Sequence, residues 1–160
     1  MKRFSIVIPA RNGERYLGQA IASALAQTRP ADEILIVDDA SMDGTAEIAH
    51  RAEFQPRVGY RYNAQATGFV DAWNRAVECA AGEYVTILHQ DDLLHRGYLE
   101  SIEGALDRFP SAQHLYAACN YIDESGIVTR QPPVPHTLQP TLYPGREYAH
   151  NYLSGILTNH

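Results

Sequence analysis

The sequence GEYVTILHQDDL, residues 82–93, decides the fold. Between Glu83 and His89 it runs through aromatic, β-branched and aliphatic residues without a charge, which predicts a strand buried on both faces. The run then ends in two adjacent carboxylates, Asp91 and Asp92. Ligands of open α/β sheets bind outside the carboxyl ends of such strands, so we expect chemistry at this doublet. Two interpretations are open: the acids hold a hard divalent cation, or one of them caps the helix that follows.

Two earlier segments have a similar design. FSIVI, residues 4–8, predicts a strand that Pro9 ends, and EILIV, residues 33–37, predicts a strand that leads into Asp38 and Asp39. Gly82 is predicted to follow the third helix as its C′ glycine. Residues 131–144 contain five of the nine prolines, which predicts an irregular loop, and a last helix is predicted over 145–154. Apolar periodicity predicts helices near 14–27, 46–52, 69–80 and 98–109, and strands over 58–62, 114–122 and 127–129.

The alternation of strands and helices predicts an α/β fold with a parallel, doubly wound sheet. In such a sheet the carboxyl ends of the first, second and fourth strands lie at one edge. The loop at 9–12, the pair Asp38–Asp39 and the pair Asp91–Asp92 are therefore predicted to share one crevice.

Composition excludes several classes of protein. The chain has 160 residues, the size of one domain, and a net charge of −6 with no basic run, which argues against a nucleic-acid partner. Cys79 and Cys119 lie far apart without a CxxC spacing, so we expect a reducing compartment and no disulfide framework. We expect neither a signal peptide nor a membrane helix, since no apolar run approaches the ~20 residues that a membrane helix needs.

The crevice also lacks the signatures of other nucleotide chemistries. The only lysine is Lys2, and neither a P-loop nor a GxGxxG turn follows the first strand. A receiver domain would need a late lysine, and the phosphatase-like Asp43-Gly44-Thr45 lacks its nucleophile because position 41 is Ser41. The remaining chemistry is a diphosphate held by Mg²⁺ or Mn²⁺, which takes one or two carboxylates together with phosphate oxygens.

Four blocks of the sequence closely resemble the family 2 glycosyltransferases of the GT-A fold. They are SIVIPARN at 5–12, AIASALAQT at 20–28, EILIVDDASMDGT at 33–45 and the strand with its doublet at 82–92. The resemblance implies a three-layer α/β/α sandwich with a mostly parallel central sheet. WNRA at 73–76 with HQDDLL at 89–94 is similar to a subset that acts in bacterial surface-polysaccharide assembly.

The resemblance also implies roles for single residues. Asp39 would recognise the base or the ribose, Asp91 would face the ribose or sugar, and Asp92, in the DXD-type motif, would hold the metal on the diphosphate. Position 11 is an arginine where many relatives have an aromatic residue, and its guanidinium could stack on the base. The residues assigned to the nucleotide-sugar are Pro9, Ala10, Arg11, Asn12, Glu14, Asp39, Gly68, Asn74, Gln90, Asp91 and Asp92.

The function that follows from the resemblance is transfer of a sugar from a nucleotide-diphosphate sugar, expected to be a UDP-sugar, to a saccharide or lipid-linked acceptor. The transfer is expected to invert the anomeric centre, to need Mn²⁺ or Mg²⁺, and to occur in the cytoplasm at the inner face of the membrane. Residues 1–130 would form the donor-binding domain, and residues 131–160 a proline-rich loop with the start of an incomplete, truncated acceptor side. The general base is expected beyond His160, since Asp123 and Glu124 are interpreted as turn residues.

Two alternatives remain at this point. One is a non-catalytic fragment that binds a nucleoside diphosphate. The other is a sugar nucleotidyltransferase, although residues 10–14 match poorly the glycine-rich, basic first loop of that class.

Overall fold

The structure, a computed structural model, describes residues 1–131 in two compact units that divide between Glu103 and Gly104, within α4. The predictions for the proline-rich loop, for a helix over 145–154 and for the start of an acceptor side concern residues 132–160, outside the described part. The elements are β1 (Phe4–Ala10), α1 (Leu17–Leu25), β2 (Glu33–Asp39), α2 (Thr45–Ala49), β3 (Gly59–Asn63), α3 (Phe69–Glu78), β4 (Tyr84–Ile87), α4 (Tyr98–Arg108), β5 (Tyr121–Ile122) and β6 (Val128–Arg130).

The first unit contains a four-stranded sheet of order β3-β2-β1-β4 in which every pair of neighbours is parallel. Phe4 pairs with Tyr84, and Ala10 with Asp38. Parallel pairing brings all four carboxyl ends to one edge, so the predicted sheet and the predicted placement of its loops are confirmed.

The two central strands form the core because both of their faces are covered. Val7, Leu35 and Val37 pack with Ala76 of α3 on one face. Neighbouring side chains of a strand point to opposite faces. Ile8 and Ile36, which alternate with that set, are fully buried as well. Burial of both sets requires a layer on each side of the sheet, as in an α/β/α sandwich.

Several predicted elements are shorter than expected, among them β4, the strand over 114–122 and α1. β4 ends at Ile87 and is only partly buried, with Val85 37% exposed, because it lies at the edge of the described sheet and pairs there with β1 alone. The strand predicted over 114–122 is reduced to β5, since its pairing with β6 is short and irregular. α1 begins at Leu17 rather than near Glu14, because Gly13–Tyr16 forms a turn.

The prediction that Gly82 is the C′ glycine of the third helix is wrong. α3 ends at Glu78, so Gly82 is too far along the chain to be its C′ residue. Gly82 instead lies against β1, where a Cβ would stand 2.7 Å from the amide nitrogen of Ser5 and 2.6 Å from its hydroxyl. The Gly82 amide donates to the Ser5 hydroxyl at 2.8 Å, and that hydroxyl donates to Glu33 at 2.5 Å. A glycine is required here by close packing of two backbones.

The second unit contains the hairpin of β5 and β6. Asp123 makes its turn: its carboxylate accepts hydrogen bonds from the amides of Ser125 at 2.9 Å and Ile127 at 3.0 Å. The interpretation of Asp123 as a turn residue is confirmed. Within residues 1–131, no helix combines the length and the apolar character needed to cross a membrane.

Candidate functional site

The candidate site lies at the carboxyl edge of the parallel sheet. The loop after β1, the end of β2 and the loop after β4 all reach this edge. At the end of β1, Pro9 is half-buried, and Ala10 is buried and pairs with Asp38 of β2.

Residues 12–14 are tied to residues 41–45, the loop after β2. The Asn12 amide donates to the Ser41 hydroxyl at 2.9 Å, and the Asn12 side-chain oxygen accepts from the Met42 amide at 3.0 Å. The Gly13 amide donates to the buried Thr45 hydroxyl at 2.8 Å. Asn12 has a φ of 50°, a left-handed conformation that asparagine tolerates better than most residues.

Glu14 adds two more hydrogen bonds between these two loops. Its amide donates to the Asp43 carboxylate at 3.0 Å, and its own carboxylate accepts from the Gly44 amide at 3.1 Å. Burial acts to raise the pKa of Asp43, but hydrogen bonds from Thr45 and Glu14 outweigh it and the pKa lies below its ordinary value. The predicted pocket residues Asn12 and Glu14 therefore shape the loop through bonds to the neighbouring loop.

Asp38 is a structural brace within the sheet. It is fully buried, and its carboxylate accepts from the Ser41 amide at 2.8 Å and the Tyr60 hydroxyl at 2.6 Å. Burial and the adjacent carboxylate raise the pKa of Tyr60, which keeps this hydroxyl protonated as a donor. Asp38 thus joins β2 to β3 and to the loop that carries Ser41.

Asp39 holds the start of α3 at the same edge. Asp39 is 3% exposed, and its carboxylate accepts from the Asn63 side chain at 2.9 Å, from the Thr67 hydroxyl at 2.9 Å and from the Thr67 amide at 3.0 Å. The Gly68 amide adds a bond at 3.3 Å. Burial acts to raise the pKa of Asp39, yet these hydrogen bonds outweigh it and the pKa is lowered. Asp39 is therefore an ionised acceptor at neutral pH.

Arg11 lies beside Asp39. One guanidinium nitrogen is 3.6 Å from the Asp39 carboxylate, and about half of the Arg11 side chain, 49%, is exposed. The cation is thus held at the mouth of the crevice with an exposed face.

Gln90 connects the loop after β4 to the loop after β1. Its side-chain oxygen accepts from the Arg11 amide at 2.8 Å, and its side-chain nitrogen donates to the Arg11 carbonyl at 3.1 Å. Both polar groups of this predicted ligand-binding side chain are therefore engaged by one backbone unit.

Asp91 and Asp92 follow as exposed acids in a turn that the Asp92 amide closes on the His89 carbonyl at 3.2 Å. The Asp92 carboxylate lies 3.4 Å from the His89 ring and is 66% exposed. The helix-cap interpretation is wrong for both acids, because α4 begins only at Tyr98.

Gln27 caps α4 instead. The buried Gln27 side chain accepts from the Leu99 amide at 3.1 Å and donates to the carbonyls of His95 at 3.0 Å and Ser23 at 3.1 Å. The loop between the acid doublet and α4 is therefore fixed to the end of α1, which leaves the carboxylates of the doublet available for another role.

Gly68 is the N-cap residue of α3, and Asn74 lies within that helix. Gly68 precedes the helix with a φ of 90°, which favours glycine, and Asn74 is exposed on the helix surface. The Trp73 ring packs between Phe69 and His89, with centroid separations of 4.6 and 4.5 Å. This aromatic column connects α3 to the turn that carries the acid doublet.

Three residues that organise this edge were missed from the sequence, namely Gly13, Asn63 and Thr67, and so was Gln27, which caps α4. The only signals were the position of Asn63 directly after a strand and of Thr67 before a glycine. A cavity of about 290 Å³ lies between β3 and α3. It is lined by Val37, Arg61, Tyr62, Asn63, Arg75 and Cys79.

Comparison with known proteins gives the family. The family model described as "Glycosyl transferase family 2" matches residues 5–154. TuaG of Bacillus subtilis (strain 168), provisionally assigned as a teichuronic acid biosynthesis glycosyltransferase, is 36% identical over 97 residues, 60% of this chain and 38% of TuaG. Glycosyltransferase GlyG of Streptococcus pneumoniae is 33% identical over 99 residues, 61% of this chain and 33% of GlyG.

Solved structures agree. TarS of S. aureus in complex with UDP-GlcNAc superposes with a TM-score of 0.61 at 25% identity, covering 66% of this chain and 31% of that one. The mannosyltransferase PcManGT of Pyrobaculum calidifontis, in complex with GDP-Man and Mn²⁺, gives a TM-score of 0.58 at 26% identity, covering 70% and 33%.

The chain spans about a third of the length of these relatives. The family model nevertheless covers most of its sequence, and the structural matches have the GT-A architecture. The chain therefore belongs to glycosyl transferase family 2, and its described part has the α/β fold of the GT-A glycosyltransferases.

Proposed function

We propose that this chain is the donor-binding part of a metal-dependent glycosyltransferase that uses a nucleotide-diphosphate sugar, most simply a UDP-sugar. One observation carries the proposal: the parallel sheet brings the ionised Asp39 and the exposed doublet Asp91–Asp92 to the same edge. The complexes of TarS with UDP-GlcNAc and of PcManGT with GDP-Man and Mn²⁺ support it by likeness.

The acid doublet fits a hard divalent cation. Residues 1–131 contain no group of three or more His, Cys, Asp or Glu side chains arranged to hold a metal. Mg²⁺ and Mn²⁺ at diphosphates need only one or two protein carboxylates, because phosphate oxygens and water complete their octahedron. Asp92, which is 66% exposed, would be the ligand, and Asp91 would face the ribose or sugar. When bound, such a cation stabilises the negative charge of a departing diphosphate.

The nucleotide would bind between the end of β1 and Asp39. Small Ala10 lets the base approach the backbone, and the exposed face of the Arg11 guanidinium offers a planar cation for stacking. Asp39 orders Thr67 and Gly68, so the base would meet a wall that is already in place. Preorganisation of this kind raises affinity because less ordering is needed on binding.

We also propose the remaining features that the family suggests: an inverting transfer, a saccharide or lipid-linked acceptor of the cell envelope, and a cytoplasmic site at the inner membrane face. Residues 1–130 would be the donor domain and 131–160 the beginning of the acceptor side. Asp123 is occupied in its turn, so we assign the general base to a residue outside the described part.

A second candidate is binding without transfer. Transfer assays with lipid-linked acceptors separate the two candidates, because only the first predicts consumption of the donor. A nucleotidyltransferase gains no support, since the family match is to glycosyl transferases.

Thermal unfolding tests the proposal. UDP with Mn²⁺ is expected to raise Tm, and Asp92→Ala to remove the metal-dependent part of that rise. Glu83→Ala is the matched control, because Glu83 is an exposed acid that directly precedes β4, whereas Asp92 follows that strand. If neither UDP nor GDP shifts Tm with or without Mn²⁺, the proposed function is wrong.

A further inference from the structure

We propose that Gln90 is a positioning residue that couples the nucleotide-binding loop to the metal-binding doublet. The proposal rests on the proposed function. It differs from the prediction that Gln90 contacts the nucleotide-sugar, because it assigns the side chain to the protein itself.

The geometry of the Gln90 side chain carries this inference. Its carboxamide has one acceptor and one donor group, and the Arg11 backbone takes both, at 2.8 Å from the Arg11 amide and 3.1 Å to the Arg11 carbonyl. The two residues are 79 positions apart in sequence, so this pair of bonds fixes the separation of two distant loops. We call it the Gln90 clasp.

Gly13 makes the room that the clasp needs. A Cβ at position 13 would lie 2.5 Å from the Gln90 side-chain oxygen and 3.0 Å from its carboxamide carbon. Gly13 is buried, and its amide is already bonded to Thr45. The Gln90 carboxamide therefore packs between the Arg11 backbone and the Gly13 α-carbon, where a methyl group at position 13 would displace it.

The clasp joins the two ends of the proposed ligand site. Arg11 lies 3.6 Å from Asp39 on the base side, while Gln90 directly precedes Asp91 and Asp92 on the diphosphate side. A ligand held at both ends binds more tightly when the separation of the two ends is fixed in advance. The clasp should therefore strengthen the coupling between the cation and the nucleotide and have less effect on either alone.

Calorimetry measures this coupling as the ratio of the Kd of UDP without and with Mn²⁺. In the unaltered chain we expect Mn²⁺ to tighten UDP binding roughly tenfold, within the usual range of coupling between two ligands. Gln90→Met keeps the length of the side chain without its polar groups, and should reduce the ratio to about twofold or less while metal-free UDP binding changes less.

Gly13→Ala supplies a second route to the same effect. The added methyl group would displace the carboxamide, so this variant should lose the same coupling although Gln90 is intact. The double variant should lose no more of the coupling between Mn²⁺ and UDP than either single variant, because both changes remove the same interaction. Gln19→Met, at an exposed position on α1, is the matched control and should keep the ratio of the unaltered chain.

Amide hydrogen exchange reports the clasp without any ligand. The Arg11 amide should exchange slowly in the unaltered chain and faster in Gln90→Met, since its acceptor is lost. Unchanged exchange at Arg11, or an unchanged coupling ratio in both folded variants, would overturn the proposal. If the unaltered chain binds neither UDP nor GDP, the proposed function is wrong and the coupling role of Gln90 is wrong with it. If the unaltered chain shows the coupling and only the variants lose it, both proposals are supported.

Discussion

Thr67 donates two hydrogen bonds to Asp39, one from its amide at 3.0 Å and one from its hydroxyl at 2.9 Å. This pairing fixes the chain between β3 and α3 to the end of β2. It also explains why a buried carboxylate at the sheet edge stays ionised, since the donors around it outweigh the cost of burial.

Stability should depend on pH through Asp39. Its pKa in the folded chain lies below the ordinary value of 3.8, so its contribution is present above about pH 4 and is lost as the pH falls through the folded pKa. Asp39→Asn should lower the free energy of unfolding by about 1–3 kcal/mol at pH 7 and by less near pH 3. Urea unfolding at both pH values measures this. An equal loss at both would show that the charge of Asp39 does not contribute.

Substitution of Gly82 should be costly in proportion to its close approach to Ser5. In Gly82→Ala the added Cβ would lie 2.7 Å from the Ser5 amide nitrogen, so the segment before β4 would have to move away from β1. We expect this to lower the free energy of unfolding by about 2 kcal/mol. Gly104→Ala is the control, and it should change the free energy of unfolding in the opposite direction. Gly104 is exposed in α4. Apart from its chain neighbours and the nearby helix backbone, no atom lies within 4 Å of the place that an alanine methyl group would take, so alanine should stabilise the helix by about 1 kcal/mol. Similar effects of both changes on chemical unfolding would contradict the packing described for Gly82.

Substitutions of Gln27 and Asp92 should differ in their effect on stability, because Gln27 has a structural role and Asp92 a proposed functional one. Gln27→Leu leaves the Leu99 amide and two carbonyls without their partner, which should cost about 2–3 kcal/mol of the free energy of unfolding. Asp92→Ala should change it by no more than about 0.5 kcal/mol, because Asp92 is exposed and caps no helix. A destabilisation by Asp92→Ala as large as that by Gln27→Leu would restore the structural interpretation of the doublet.

The aromatic column gives a prediction about the orientation of the turn at 89–92. Trp73→Leu removes the ring on which His89 packs, at a centroid separation of 4.5 Å. We expect roughly a threefold to tenfold weaker Mn²⁺-dependent UDP binding, the size of a loss of about 1 kcal/mol of aromatic contact. Val70→Ala, at an exposed position of the same helix, is the control. Unchanged binding in Trp73→Leu would show that the column does not position the turn.

Much of this edge is predictable from strand endings. Uncharged runs before Asp38 and Asp91 suffice to place both doublets at carboxyl ends, because parallel pairing leaves those ends together. The interactions of each acid are not predictable in this way. Asp38 and Asp39 are neighbours of identical chemistry, yet one binds Tyr60 across the sheet and the other Thr67 in a loop. Only the tertiary register, which pairs Asp39 with Asn63, decides which partner each acid meets.

The edge strand β4 shows a second limit of prediction from the sequence. The run after Glu83 is as apolar as a central strand, but Val85 is 37% exposed because β4 has a neighbour on one side only in the described sheet. Strand order is a property of the whole fold, and apolar content alone does not encode it. The role of Gly82 is likewise not predictable from its local sequence, since Gly82 and its contact Ser5 are 77 positions apart.

Paramagnetic broadening of backbone amide signals by Mn²⁺ tests the central claim most directly. With UDP present, substoichiometric Mn²⁺ should first broaden the amides of Asp91 and Asp92 and then that of Arg11, because the cation would lie at the doublet and the nucleotide would bridge to the loop after β1. Asp92→Ala should abolish this pattern while Glu83→Ala keeps it. Broadening centred on another part of the chain, or the same pattern in Asp92→Ala, would contradict a metal-held donor at the carboxyl edge of the sheet.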